Sequence, residues 1–194
     1  GPPGDDARYP VWAPILQGID LTAYPALYFP ADVSIPTGST VVALSLWVRK
    51  TPPPPEWDST VAAQGYIAEL MLSPIGHIYI VDAIAAAPPN EAYAITTART
   101  AWADLSTVAP RYVERSAWRL VTVRADTSTG RVDLWIGADL ALSATGTPTA
   151  APQSIWAIWA GDWFLGSIGQ IQVRAGGPET FTHADHLAQH RFGH

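Results

Sequence analysis

The feature that most constrains the fold of this chain is the alternation of side chains in residues 116–142 (SAWRLVTVRADTSTGRVDLWIGADLAL). From Trp118 to Val123, successive residues fall on opposite sides of an extended segment. A polar turn over residues 126–130 (DTSTG) leads to a return segment, and a second tight turn follows at Gly137-Ala138. Period-two alternation bounded by Gly- and Thr-rich turns predicts antiparallel hairpins.

The same signals recur along the chain. Short segments with strand composition are separated by Gly-, Pro- and Asn-rich stretches: residues 26–29, 40–50, 65–73, 77–82, 92–98, 118–125, 131–136, 140–143, 155–159 and 168–175. This pattern predicts an all-β fold, an antiparallel two-sheet jelly-roll sandwich. Helical signals come only at the end, where Thr182 and Asp185 form a capping pair for one short C-terminal helix through about Arg191.

The composition limits the partners. At 194 residues the chain can bury the core of one domain, and its lack of cysteine excludes disulfides and thiolate metal sites. The net charge is −6 and there is no basic run, so we expect no nucleic-acid partner. The apolar run at residues 41–48 is far too short to cross a bilayer, and Asp82 interrupts the run at residues 78–87, so we expect no membrane partner.

The order of the segments resembles the concanavalin A-like, laminin G-like jelly roll of adhesion modules, glycan-binding domains and phage structural proteins. The resemblance extends from about Leu21 to Arg191. The elements that carry it are residues 26–30 (ALYFP), 42–49 (VALSLWVR), 118–123 (WRLVTV), 130–136 (GRVDLWI) and 163–168 (WFLGSI). The terminal helix falls where the family often has one. The resemblance implies a two-sheet sandwich that binds other molecules through its loops and exposed aromatic residues.

Two positions depart from the family pattern. Gly137-Ala138 stands where the family usually has Asp-Gly, and a glycine at the first central position still allows a type II′ turn. Gly169-Gln170 stands where the family usually has an acidic residue. Simple alternation would place Ile168 and Val173 on opposite faces of the strand, which predicts a bulge at Gly169 that brings both to one face. Because calcium needs clustered oxygen ligands, we predict no calcium site and no other cofactor.

The N-terminal residues are assigned separately. We predict that residues 1–20 are a linker or the end of a collagen-like stalk and that residues 21–194 form the laminin G-like sandwich. Residues 1–6 (GPPGDD) read as two Gly-X-Y triplets, the collagen pattern. The alternative, which we favour, is that Gly1-Pro2 is a cloning scar followed by a linker. Lys50 is the single lysine of the sequence, and this preference for arginine is typical of a GC-rich genome, such as that of an actinobacterium or its virus.

We predict no enzymatic activity. Glycoside hydrolases on this fold need two carboxylates that flank the scissile bond, and on a strand these would alternate along one face. Glu69 and Asp133 are each the only acid of their strand segment, whereas Glu56 and Asp58 lie in a proline loop. No Ser-His-Asp pattern stands out either.

Tryptophans are the candidate ligand-binding residues, because the sequence has nine of them and exposed indoles stack on sugar rings and on partner proteins. We select Trp57, Trp159 and Trp163. Trp57 lies on the stiff loop of residues 51–58 (TPPPPEWD), which is equally consistent with a plain connection. Trp156 and Trp159 have opposite parity, so we expect one in the core and the other on the outer face, at an interface or against a ligand.

The terminal histidines form a possible metal stripe. His183, His186 and His190 stand at i, i+3 and i+7, which places them along one side of a helix, and imidazoles at such spacing bind zinc or nickel. The alternative is a solvated terminal helix whose histidines are merely polar, and we favour it. We therefore predict no metal.

These inferences lead to one functional hypothesis and two alternatives. The first is a non-enzymatic phage virion module, a tail fibre or minor tail protein, that binds host cell-surface glycan outside the cell. It would be a homotrimer in contact with other virion proteins. The second is a capsid decoration or head-fibre domain that makes only protein contacts. The third is a carbohydrate-binding module of a secreted bacterial protein.

Overall fold

The computed structural model describes residues 19–20, 27–50, 64–84, 94–103, 111–113, 118–162 and 166–192. These residues form strands and one terminal helix, in the following order: β1 (Ile19–Asp20), β2 (Leu27–Ser34), β3 (Val41–Lys50), β4 (Gln64–Ser73), β5 (Gly76–Ile84), β6 (Ala94–Thr100), β7 (Arg111–Val113), β8 (Arg119–Asp126), β9 (Arg131–Ile136), β10 (Asp139–Thr145), β11 (Ser154–Asp162), β12 (Gly166–Gly176) and α1 (His183–Phe192).

The strands pair into two antiparallel sheets of six strands each. Sheet A has the order β1-β12-β3-β8-β9-β10, and sheet B has the order β2-β11-β4-β5-β6-β7. The two sheets pack face to face through alternate apolar side chains, including Leu44, Val123, Leu70, Ile78 and Ile158, all of them fully buried. The predicted all-β, two-sheet sandwich with one short C-terminal helix is confirmed.

The hairpins that the alternation predicts form in residues 118–142, the described part of this segment. Val121 and Val123 of β8 point into the core between the sheets, while Thr122 points to the other side of sheet A. In the two-residue turn between β9 and β10, Gly137 has a φ of +58° and Ala138 does not have a positive φ. A positive φ at the first central position alone is the signature of a type II′ turn.

The predicted bulge in β12 is present as well. The register between β12 and β3 shifts between Gly169 and Gln172. Gln170 adopts the left-handed backbone conformation, with a φ of 51°. The extra residue switches the parity of the strand, so Ile168 and Val173 both reach the core.

Sheet A begins before residue 21. Ile19 and Asp20, which the sequence analysis assigns to the N-terminal linker, pair with Ile168 and Ser167 of β12. The other residues of the 1–20 segment, including the Gly-X-Y triplets, lie outside the described residues.

The helix begins at the capping pair that the sequence predicts. The Thr182 backbone N–H donates to the Asp185 carboxylate at 2.9 Å, and the Asp185 N–H points back at the Thr182 hydroxyl at 3.4 Å. Of the described segments none is a helix long and apolar enough to span a membrane, since α1 has 10 residues.

Candidate functional site

The two tryptophans of β11 share one surface. Their parity differs, but the register of β11 with both neighbouring strands shifts between Ile155 and Ala157. This bulge resets the alternation, so Ile155 and Ile158 reach the core while Trp156 and Trp159 both stay on the outer face of sheet B. The prediction that one of these two tryptophans belongs to the core is therefore wrong. Trp156 is 47% exposed and Trp159 is half-buried.

The backbone register aligns a row of side chains across four adjacent strands of sheet B. Tyr28 pairs with Trp159, Trp159 with Glu69, and Glu69 with Tyr79. Because neighbouring strands lie about 4.8 Å apart, three intervals give a row of about 14 Å. The rings of Tyr28 and Trp159 contact each other, with centroids 4.7 Å apart, and Tyr28 is 47% exposed.

A polar pair lies in the middle of these rings. The Nδ1 atom of His77 is 2.6 Å from the Oε1 atom of Glu69, and the Tyr79 hydroxyl is 3.1 Å from the same nitrogen. Since a carboxylate only accepts, the imidazole N–H is the donor of the shorter bond. Trp156 meets the edge of the His77 ring, with centroids 6.3 Å apart, and Tyr66 contacts Tyr79 at 5.5 Å.

We name this surface the aromatic face; it consists of Tyr28, Tyr66, Glu69, His77, Tyr79, Trp156 and Trp159. Aromatic ring faces attract weakly positive C–H groups, and a carboxylate accepts hydrogen bonds from hydroxyls. The aromatic face therefore suits a ligand that has both flat C–H surfaces and hydroxyl groups.

The described side chains of the aromatic face include few acids. Its residues include one carboxylate, that of Glu69, whereas glycoside hydrolysis uses two. Among the described residues, no three His, Asp or Glu side chains are grouped as metal ligands.

The outer face of sheet A is different, because α1 lies on it. His183 stacks on Trp135, with centroids 5.1 Å apart, and His190 stacks on Trp47 at 6.1 Å. His186 is fully buried: its Nε2–H donates to the Gly137 carbonyl at 2.5 Å, and its Nδ1 accepts from the Thr122 hydroxyl at 2.8 Å.

The histidine stripe is thus the docking side of the helix. The favoured prediction of a solvated helix with merely polar histidines is wrong, because sheet A presents tryptophan rings to the same side of the helix. Burial lowers the pKa of His186 to about 4, although the hydrogen bond to the Gly137 carbonyl acts in the opposite direction. His186 is consequently neutral at pH 7.

Part of this site could be predicted from the sequence. Of the three candidate tryptophans, Trp159 lies on the aromatic face, while Trp57 and Trp163 lie outside the described residues. The pairing of Glu69 with His77 was not predicted. The detectable signal was the turn at residues 74–75, which folds β5 back on β4 and brings these two positions together.

Comparisons with known proteins support the fold. No protein-family model matches the chain. No curated protein matches it either. The chain is similar to a native heptameric SAP-like pentraxin from Limulus polyphemus, at 11% identity and a TM-score of 0.51, over 92% of this chain and 79% of that chain. It is also similar to the CBM40 module of the Ruminococcus gnavus IT-sialidase bound to α2,3-sialyllactose, at 12% identity and a TM-score of 0.50, over 92% of this chain and 98% of that chain.

A weaker likeness is to the binding domain of botulinum neurotoxin serotype D, at 9% identity and a TM-score of 0.49, over 87% of this chain. The chain spans less than half of that domain, 46%. At such identities the likeness shows the fold, a jelly-roll sandwich.

Proposed function

We propose that this domain binds carbohydrate through the aromatic face and has no catalytic role. The observation that carries the proposal is the open row of Tyr28, Trp159, Glu69 and Tyr79, in which rings and a hydrogen-bonding carboxylate alternate. Exposed apolar patches rimmed by polar groups mark interaction sites. The sialyllactose-bound CBM40 module supports the proposal, since it is a sugar-binding module with a similar fold.

A glycan array compared between the wild type and a Trp156→Ala variant tests this proposal. Trp156 is half-exposed, so its removal leaves the core intact, and the loss of one ring contact should weaken binding about tenfold. Leu140→Ala is the matched control, because Leu140 is 43% exposed on sheet A and lies outside the aromatic face. Equal binding by the wild type and Trp156→Ala would place the sugar site elsewhere.

We further propose that the domain belongs to a phage virion, as a trimeric tail-fibre or minor tail module whose partner is a host cell-surface glycan. The support is the resemblance to virion adhesion domains and the arginine-rich usage. The mass in solution tests the trimer, and a monomer at micromolar concentration would refute it. Binding to a host envelope fraction tests the adhesion role. Self-association through Trp156 without binding to any envelope fraction would favour the capsid-decoration alternative.

A further inference from the structure

We infer that the ligand of the aromatic face is an uncharged oligosaccharide of about three pyranose rings, bound across the strands, with a central ring that donates hydroxyl hydrogen bonds to Glu69. This inference rests on the proposed carbohydrate binding and specifies the class of sugar. It follows from the order of side chains in the row and from the charges of sheet B.

The order of the row sets the length of the ligand. Rings occupy both ends, Tyr28 with Trp159 on one side and Tyr79 with Tyr66 on the other, and the carboxylate of Glu69 lies between them. Neighbouring strands lie about 4.8 Å apart. One pyranose unit of an extended chain has a similar length, so the row accommodates about three rings. A single sugar would contact one end of the row and leave the other end unused.

The carboxylate of Glu69 favours a ligand without negative charge. The Glu69 side chain is 18% exposed, so a ligand can reach part of it, and His77 holds it in place through the 2.6 Å bond. A carboxylate accepts from hydroxyl or amide N–H groups and repels an anionic sugar. Asp32, which is exposed on β2, adds a second negative charge to sheet B.

The described side chains of sheet B include no arginine or lysine, and the imidazole of His77 is already bound to Glu69. The backbone register places Arg99 of β6 opposite Tyr79, one position beyond the row. The effect of an Arg99→Gln substitution on the binding of a charged sugar can therefore be measured.

The experiment measures affinity by calorimetry for two matched series: neutral hexose oligomers of one to five rings, with the linkage chosen from the array, and the corresponding uronic acid oligomers. Lactose and its α2,3-sialylated form serve as a second matched pair. We expect affinity for the neutral series to rise up to about three rings and then level off, because the row is then filled. We expect the acidic series to bind about tenfold more weakly.

Glu69→Gln separates charge from shape. The amide retains an acceptor oxygen for His77, so the variant should lose most of the tenfold preference for neutral sugars while it still binds them. Glu179→Gln removes the same charge from an exposed position in the turn before α1 and should keep the preference.

The outcomes distinguish the two proposals. If no sugar of either series binds, the proposed function fails, and this inference fails with it. If sugars bind and Trp156→Ala weakens their binding, the proposed carbohydrate binding stands. If the acidic series is then preferred, and Arg99→Gln abolishes that preference, the inference of an uncharged ligand is refuted. Saturation with a single ring would refute the inferred length in the same way.

Discussion

The outer faces of the two sheets carry similar side chains, but those of sheet A are buried and those of sheet B are partly exposed. Sheet A presents Trp47 and Trp135, and both are almost fully buried because α1 covers them with its histidines. Sheet B presents Trp156 and Trp159, and no described segment covers Trp156, which is 47% exposed. Tryptophan and histidine on the outside of a sheet therefore do not by themselves indicate a binding surface. The helix that covers sheet A makes its aromatic residues part of the core, and its absence from sheet B leaves those rings accessible.

Contacts with sheet A keep α1 in place over the outer face of that sheet. Phe181 packs against Ala43 and Trp135, and the guanidinium group of Arg174 lies over its ring at 4.2 Å. The Arg124 side chain donates to the backbone carbonyls of residues 178 and 180 at 2.6 and 3.0 Å. These contacts fix the turn that leads into α1, so the helix is held at its start as well as along its histidine side.

The largest effect is expected from Phe181→Ala. Phe181 is 1% exposed, and truncation of a buried phenylalanine costs about 3–5 kcal/mol of unfolding free energy. Urea denaturation measures the change, and Phe181→Leu should lose clearly less because it retains most of the apolar volume. A loss below 1 kcal/mol for Phe181→Ala would mean that the cover of sheet A adds little to the stability of the fold.

A smaller effect is expected from pH, through His186. Its pKa is about 4 in the folded protein and 6.5 in the unfolded chain, so the unfolded chain binds the proton first as the pH falls. Its contribution to stability is therefore complete above pH 6.5, declines through the interval down to about pH 4, and is then lost. The total decline corresponds to about 3 kcal/mol.

Carboxylates titrate near the lower end of the same pH interval. The effect of His186 is therefore measured as the difference in pH dependence between a variant and the wild type. His186→Gln should unfold with a flatter pH dependence between pH 6.5 and 4 than the wild type, whereas Trp156→Ala should retain the wild-type dependence. Identical slopes for the wild type and His186→Gln would show that His186 is not buried in its neutral form.

The smallest effect on stability is expected from a substitution on the aromatic face. Trp156→Ala should change the unfolding free energy by about 0.5 kcal/mol or less, because surface substitutions outside packed features rarely do more. The same variant is expected to bind sugar about tenfold more weakly. If Trp156→Ala destabilised the domain as much as Phe181→Ala, Trp156 would be a packing residue too. That result would contradict the difference between the two faces.

Much of the fold could be predicted from the sequence, and the site could be predicted in part. The strands, the turn at Gly137, the bulge at Gly169 and the cap formed by Thr182 and Asp185 all depend on residues close together in the chain. The bulge in β11 escaped prediction, because the letters around Trp156 carry no glycine to mark it. Simple alternation therefore put the two tryptophans of β11 on opposite faces, and the aromatic face could not be recognised.

The sequence by itself determined the class of structure, because period-two alternation and turn residues act over a few positions and leave a sheet as the one way to bury the apolar side chains. The tertiary structure decided which surfaces are open. The hydrogen bond of His186 joins it to Thr122, which is 64 positions earlier. The row from Tyr28 to Tyr79 depends on the register of four strands, of which only β4 and β5 are consecutive in sequence. Long-range pairings of this kind follow from how the sheets assemble, and no local pattern of residues encodes them.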